Sequence, residues 1–474
     1  MQQYTFVKSF SYRKLILTDY KKNLGIKEST AIVISRIIGS GIFRTPAPIM
    51  ALVGCTSLFG LVWVLGGIIT IFGAVVYAEL TAMIPKSGGP YVFLKEAYGP
   101  YIAFLRGWAM FFVSETASIV AVSLVFTEFI NAIFQIISGE PFGIFPTFIL
   151  SLFTIWLLTG INLFGVSLSG KFQVIFGATK VIAVGAIIGI TLTGFSTGNT
   201  SHFTDPFWPE NFGWHTVLAI GAALRYSFFA FSGWEGATYM AEEVKNPGKT
   251  LPISLFLGIS GIMVLYVGAN VGYLYQLDIE TIKENKWVAT KAVEVVMGAT
   301  GGILISIAVA INAFGNISTQ ILCKGRSWHA MARDGLFFDS FKKLHPTYAT
   351  PNNALIGQGA WATVLLTGAI LSSYFQSGNA GNNMYETVID FFSATSTIFN
   401  ILTFGSIYIL RKKYPDKKRP YKAFLYPTSM IVVLVLYTSF LILTLITASI
   451  PSLLGIGLTA TGSIYYFKKV RKKV

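Results

Sequence analysis

Apolar residues in this chain gather into runs of about twenty separated by short polar stretches. They fall near 29–54, 57–84, 99–135, 145–164, 172–194, 215–244, 251–275, 301–332, 354–374, 385–410, 424–448 and 450–467. An ordinary soluble helix runs roughly 10–14 residues, whereas a bilayer crossing needs about 20. The pattern therefore predicts an all-α membrane protein with twelve transmembrane helices. Two of the runs are broken in the middle. The first contains Gly39, Ser40 and Gly41 followed by Pro46, and the sixth contains Ser232 and Gly233. Breaks at spans one and six, equivalent places in two groups of five, are the pattern of an inverted-repeat carrier with its site near the bilayer midplane.

Composition supports the reading. Hydrophobic residues make up 53% of 474 residues and charged residues 12%, about half the share in a soluble domain, which excludes a typical soluble enzyme. The net charge of +15 lies in short loops between spans, where basic residues orient a protein against the inner leaflet; nucleic acid is not the expected partner. With both ends placed in the cytoplasm, the inner face carries Lys8, Arg13, Lys14, Lys21, Lys22, Lys27, Lys342, Lys343, the run 411–422, and Lys468, Lys469, Arg471, Lys472 and Lys473. The loops 195–214 and 375–384 carry no basic residue, and only 276–300, expected to hold a short surface helix, mixes charges. The first 27 residues lack the apolar core of a cleavable signal. The expected layout is a tail over 1–28, a first five-span repeat over 29–194, a second over 215–410, two further spans over 424–467, and a basic tail over 468–474. Cys55 and Cys323 show no metal or disulfide spacing, and His202, His215, His329 and His345 show no ligand spacing, so no metal or cofactor is expected.

Freed backbone at membrane depth is costly unless it lines a cavity. The N–H groups around Ser40, Gly41 and Ile42 would present the positive end of a restarted helix to a carboxylate, and carbonyls released near Ser232 would suit an ammonium. A receptor with both ends fits an α-amino acid.

The motifs IIGSGIF (37–43), AELTAMIPKSGGPYVFLKEAYG (78–99), FSGWEGATYMAEEVKNPGKTLP (231–252), MARDG (331–335) and RKKYPDKKRPYK (411–422) resemble the amino acid–polyamine–organocation superfamily, within it the L-type amino acid transporters and their bacterial relatives. The resemblance implies a five-plus-five inverted repeat with two extra C-terminal helices and sodium-independent amino acid uptake or exchange by alternating access. It places Ile37, Ser40, Gly41, Ile42, Phe229, Ala230 and Ser232 around the substrate, with Phe229 as an aromatic gate. It matches Lys180 to the lysine whose ammonium replaces a sodium ion between spans one, five and eight, with Ser318 and Thr319 as candidate neighbours. Animal members bind a heavy chain through a cysteine in the loop that here spans 136–144; that loop has none, so a disulfide-linked partner is not expected, and the chain would act as a monomer or weak homo-oligomer.

Charges inside spans are expensive, about 2.5–3.5 kcal/mol for a central lysine on insertion scales, and are by default functional or paired. Arg36 precedes the first break, where relatives usually carry a small or polar residue, and Glu235 follows the second. One account pairs Arg36 with Glu235 as an inner latch, and Arg44 or Arg225 with Glu115 as an outer one. The other leaves an arginine free for a second substrate carboxylate. Glu79, Glu242 and Glu243 are expected to cap helices or meet basic loop residues such as Lys86 and Arg333. The expected function is transport of neutral L-amino acids by exchange or proton coupling; the rivals are an acidic amino acid or polyamine carrier, a membrane-embedded enzyme, for which HExxH and GxSxG are both missing, and a channel, for which no filter repeat is present.

Overall fold

The structure is a computed structural model that describes residues 24–86, 89–164, 166–348, 350–376 and 384–471, without the side chains of 166–178, 240, 242–243, 323, 326 and 374–376. The basic residues expected in the amino-terminal tail up to Lys22, the side chains of Glu242, Glu243 and Cys323, most of the loop 375–384, and Lys472 and Lys473 lie outside the described residues.

Helices form where the apolar runs predict them. The first run is divided into α1 (Ile26–Ile37), α2 (Gly41–Arg44) and α3 (Pro46–Val53). The second is α4 (Thr56–Met83). A short helix that the apolar pattern does not predict, α5 (Pro90–Tyr98), precedes the third crossing, which comprises α6 (Pro100–Ala109), a π-helical turn (Met110–Ser114) and α7 (Glu115–Ser138). Then come α8 (Ile144–Leu163), α9 (Val166–Thr193), α10 (Trp214–Phe231) and a 3₁₀ segment (Trp234–Glu243). The second half continues with α11 (Pro247–Gln276), the small loop helix α12 (Ile279–Glu284), α13 (Val288–Arg333), α14 (Asn352–Gln376), α15 (Met384–Lys413), α16 (Thr428–Thr447) and α17 (Ser449–Tyr465). The run called α13 turns at Gly298, whose φ of 68° separates a short helix in the loop from the crossing itself. Among the described residues, eight helices are long and apolar enough to cross a membrane. The remaining predicted spans correspond to the interrupted helices, to α9 and to α17. The chain is thus a multi-pass membrane protein.

Polar contacts identify the two faces. On one, the carboxylate of Glu79 at the end of α4 takes Arg411 Nε at 2.8 Å and Arg411 Nη2 at 2.6 Å, with the Ala423 N–H at 2.6 Å. Glu79 thus meets basic residues as expected, but these are Arg411 and Arg419 and not Lys86 or Arg333: tertiary folding brings the arginine-rich segment at the end of α15 and after it over the end of α4. Lys413 donates to the Glu96 carbonyl, Lys95 meets Asp334, and Leu24 pairs with Val244. The starts of α1 and α6 and the ends of α13 and α15 therefore share this face, called the basic face below. On the opposite face the segment after α9 closes over α4, with Thr56 donating to the Phe203 carbonyl. Between the faces, α13 packs on α7 and α9, α11 on α4 and α1, and α10 on α3 and α4, so the broken crossings sit inside a shell of whole ones.

Candidate transport site

Helix α1 stops at Ile37 because Ile38 turns to extended backbone (ψ 99°), and the helix restarts at Gly41. The carbonyl of Ser40 accepts from Phe43 and Arg44, but the N–H groups of Ser40, Gly41 and Ile42 have no acceptor among the described residues, and the Ser40 hydroxyl is buried without a partner. Helix α10 stops at Ser232, whose N–H and hydroxyl both donate to the Phe229 carbonyl at 3.0 and 2.7 Å. Gly233 then takes φ 94°, and a Cβ there would lie 2.7 Å from the Arg36 carbonyl oxygen, so the second break packs against the first with no room for a side chain. The Tyr266 hydroxyl on α11 donates to the carbonyls of Ile37 and Ala230, each at 3.2 Å. One buried group thereby ties the two ends together.

A cavity of about 170 Å³ opens between the breaks. At roughly 10–15 Å³ per water it holds on the order of ten waters, space for a small solute rather than a polymer. Ile37, Ser40, Gly41, Phe229, Ala230, Ser232, Arg36, Glu235, Arg225 and Glu115 all line it; Ile42 and Lys180 do not. Ile42 is fully buried behind the break. The Phe229 ring faces Tyr385 at 5.8 Å and Phe392 at 6.0 Å.

Lys180 is buried, and its ammonium donates to the Ser35 carbonyl at 3.0 Å, near the end of α1. A cation at a helix carboxyl end meets the negative end of the dipole. The crossing begins at Val166, six residues earlier than its apolar run suggests, so Lys180 lies about 21 Å along it at 1.5 Å per residue. Neither candidate neighbour bonds to it: Ser318 accepts from Asn162 and Thr319 donates to the Gly315 carbonyl.

The ion pairs of Arg44, Arg225 and Glu115 differ from the expected outer latch. Arg44 binds Glu128 at 2.8 Å and approaches Glu386 at 3.7 Å; Arg225 binds Asp390 at 2.9 Å. Glu115 pairs with Lys324, not with Arg44 or Arg225. Arg36 and Glu235 line one cavity, and the Arg36 side chain lies against Gly236, where a Cβ would be 2.9 Å from both Cγ and Nε. The reason is register. The π-helical turn at Met110–Ser114 adds a residue to one turn and re-aims Glu115 toward the basic half of α13, while α15 brings Glu386 and Asp390 to the two arginines. Sequence reading missed Tyr266, Asn316, Gln320, Lys324, Arg106 and Asp390. Tyr266 carried a usable signal, since a tyrosine within an apolar span needs a partner for its hydroxyl; the others become neighbours only through packing.

The profile of the family described as "Amino acid permease" matches residues 24–467. The chain belongs to the amino acid permease family. Over 463 residues the permease is 30% identical to the serine/threonine exchanger SteT of Bacillus subtilis, covering 95% of this chain and 98% of that protein. It is 29% identical to the mouse large neutral amino acids transporter small subunit 2, over 94% of this chain and 81% of that protein. It is 28% identical to the human cystine/glutamate transporter, over 94% and 85%. The permease is therefore an amino acid transporter of the amino acid–polyamine–organocation superfamily and not an enzyme.

Proposed function

We propose that the permease carries neutral L-amino acids by alternating access, as an exchanger or proton-coupled carrier that does not use sodium. The observation that carries this reading is the run of free N–H groups at Ser40, Gly41 and Ile42, beside a partnerless serine hydroxyl and across from the unwound end of α10. Three amide hydrogens suit a carboxylate, and released carbonyls suit an ammonium. The side chain would lie toward Phe229, which closes the cavity as a gate. Lys180 of α9, whose ammonium bonds the end of α1, serves as a coupling cation, and Arg36, Arg225, Glu115 and Glu235 set the charge balance as the two halves move. In this reading α1 to α9 and α10 to α15 are inverted five-span repeats over 29–194 and 215–410, with α16 and α17 added, twelve crossings in all. Both termini and the basic face are cytoplasmic, in the cell membrane. The carrier works without cofactor, metal or disulfide-linked heavy chain, as a monomer or weak homo-oligomer.

Neutral substrates are favoured over acidic ones because Arg44 and Arg225 are already matched by Glu128 and Asp390. Proteoliposome uptake with labelled serine, leucine, glutamate and putrescine, run with a pH gradient and with preloaded substrate, tests it. Serine or leucine uptake that needs no sodium and rises with preloaded substrate or inward proton drive is the expected result; uptake confined to glutamate or putrescine would remove the neutral reading.

A further inference from the structure

Residues 411–422, which lead from the end of α15 toward α16 on the basic face, hold seven basic residues and one acid, Asp416. Three of the basic groups serve the fold. Arg411 binds Glu79, and Lys413 donates to the Glu96 carbonyl. Arg419 donates to the carbonyls of Tyr414, Pro415 and Lys417 at 2.7, 2.9 and 3.1 Å, which folds the segment around its guanidinium. The other four, Lys412, Lys417, Lys418 and Lys422, are exposed, and none forms an ion pair with a carboxylate among the described residues.

The segment then reaches an exposed apolar tip. Phe424 is 69% exposed and Leu425 58%. Leu425 takes φ 55°, a left-handed backbone that is costly for a residue with a Cβ and persists where its surroundings impose it. Those surroundings are firm. The Ala423 N–H donates to the Glu79 carboxylate, the Arg411 guanidinium lies 3.5 Å from the centre of the Tyr426 ring, and Pro420 packs on Gly248 at the start of α11 with no room for a Cβ. Helix α16 begins at Thr428, directly after the tip, and exposes Ile431, Val435, Ile442 and Ile446 along one line. The tip therefore stands where a crossing enters the bilayer, with the lysines beside it.

Cations next to an apolar tip at that level fit one kind of partner. A soluble anion would meet the lysines and leave Phe424 and Leu425 in water. A zwitterionic phospholipid would cover the tip but offers the lysines no net charge. An anionic phospholipid supplies a phosphate to the lysines and an acyl chain to the tip, and a surface already held in shape loses little freedom on binding it. We propose that Lys412, Lys417, Lys418 and Lys422 with the Phe424–Leu425 tip form a docking surface for anionic phospholipid in the leaflet on the basic face. Because Glu79 clamps this segment to the end of α4, bound lipid ties α4, α15 and α16 to that leaflet.

The test uses the full chain in detergent, titrated with phosphatidylglycerol or phosphatidylcholine and read by native mass spectrometry. The parent is expected to bind phosphatidylglycerol at least tenfold more tightly, since each basic residue near an anionic surface is worth about a fivefold gain. Changing the four lysines to Gln together should bring the preference below twofold, with an unchanged size-exclusion profile. Phe424→Ser with Leu425→Ser should weaken both lipids and keep the preference. The matched control, Lys342, Lys343, Lys468 and Lys469 to Gln, removes the same charge from elsewhere in the chain and should keep at least a fivefold preference. Equal affinity for the two lipids in the parent, or equal loss in the control, would overturn the proposal, the latter because total charge alone would explain the binding. Displacement of phosphatidylglycerol by millimolar inorganic phosphate would also overturn it, by showing a site for soluble anions.

Discussion

Gly41 and Ala230 meet backbone to backbone across the two breaks: a Cβ at position 41 would lie 2.7 Å from the Ala230 Cβ and closer still to its Cα. Neither backbone can retreat without disturbing the cavity. Gly41→Ala is therefore expected to lower uptake at least tenfold. Gly60→Ala on α4, where an added Cβ meets nothing within 4 Å, is the control and should keep wild-type rates. Equal rates for the two variants would mean that the close approach is not needed for transport.

Tyr266→Phe removes the hydroxyl shared by the Ile37 and Ala230 carbonyls. Leaving two buried acceptors without their donor costs about 1–3 kcal/mol. A thermal unfolding series in detergent should show a lower Tm, together with weaker substrate binding because the two ends lose their common tie. A variant as stable as the parent would show that water replaces the hydroxyl.

The Arg225 and Asp390 pair separates the substrate readings. With Arg225 engaged at 2.9 Å, Arg225→Gln strands a carboxylate, and competition by glutamate and by alanine should weaken to the same extent. The double variant Arg225→Gln/Asp390→Asn removes both charges and is expected to regain part of the lost rate. Selective loss of glutamate recognition would point to an acidic substrate instead.

Lys180→Met removes the ammonium that caps the Ser35 carbonyl. Uptake should fall at least tenfold with the protein still folded by size-exclusion profile, since one helix end loses a cation while the core packing stays. Full activity in this variant, with or without added sodium, would contradict a coupling role.

Outside the membrane, Asp278 caps α12, its carboxylate accepting the Thr281 N–H at 2.7 Å. The Thr281 backbone N–H and hydroxyl hold this carboxyl below its usual range. Its folded value is depressed, so the stability it contributes is present above the unfolded value, near 3.9, and is lost as pH falls through the lowered folded value. Asp278→Ala should cost about 1 kcal/mol at pH 7, the usual worth of a cap, and the gap to the parent should close below about pH 4. A gap that stays constant down to acid pH would remove the carboxylate from the account.

The crossings were readable because lipid imposes a length and an apolar character that each segment must satisfy alone, and most boundaries from α4 to α17 fall within a few residues of the apolar runs. The breaks at 38–40 and 232–233 were readable for a related reason: glycine, serine and proline weaken a helix locally, wherever it packs. Helix α5 was not legible, because a nine-residue helix at the end of a crossing leaves no long apolar signature.

What the sequence determined by itself was a polytopic chain with two interrupted helices, and therefore where free amide hydrogens lie. Which charge meets which was decided only by tertiary structure. The partners of Arg44, Arg225, Glu115 and Glu79 lie 84, 165, 209 and 332 positions away in the chain, and a π-helical turn that no local signal marked sets the direction of one of them. Ion pairing depends on distances of a few ångströms between separate helices, whereas helix formation and breaking depend on neighbours along one.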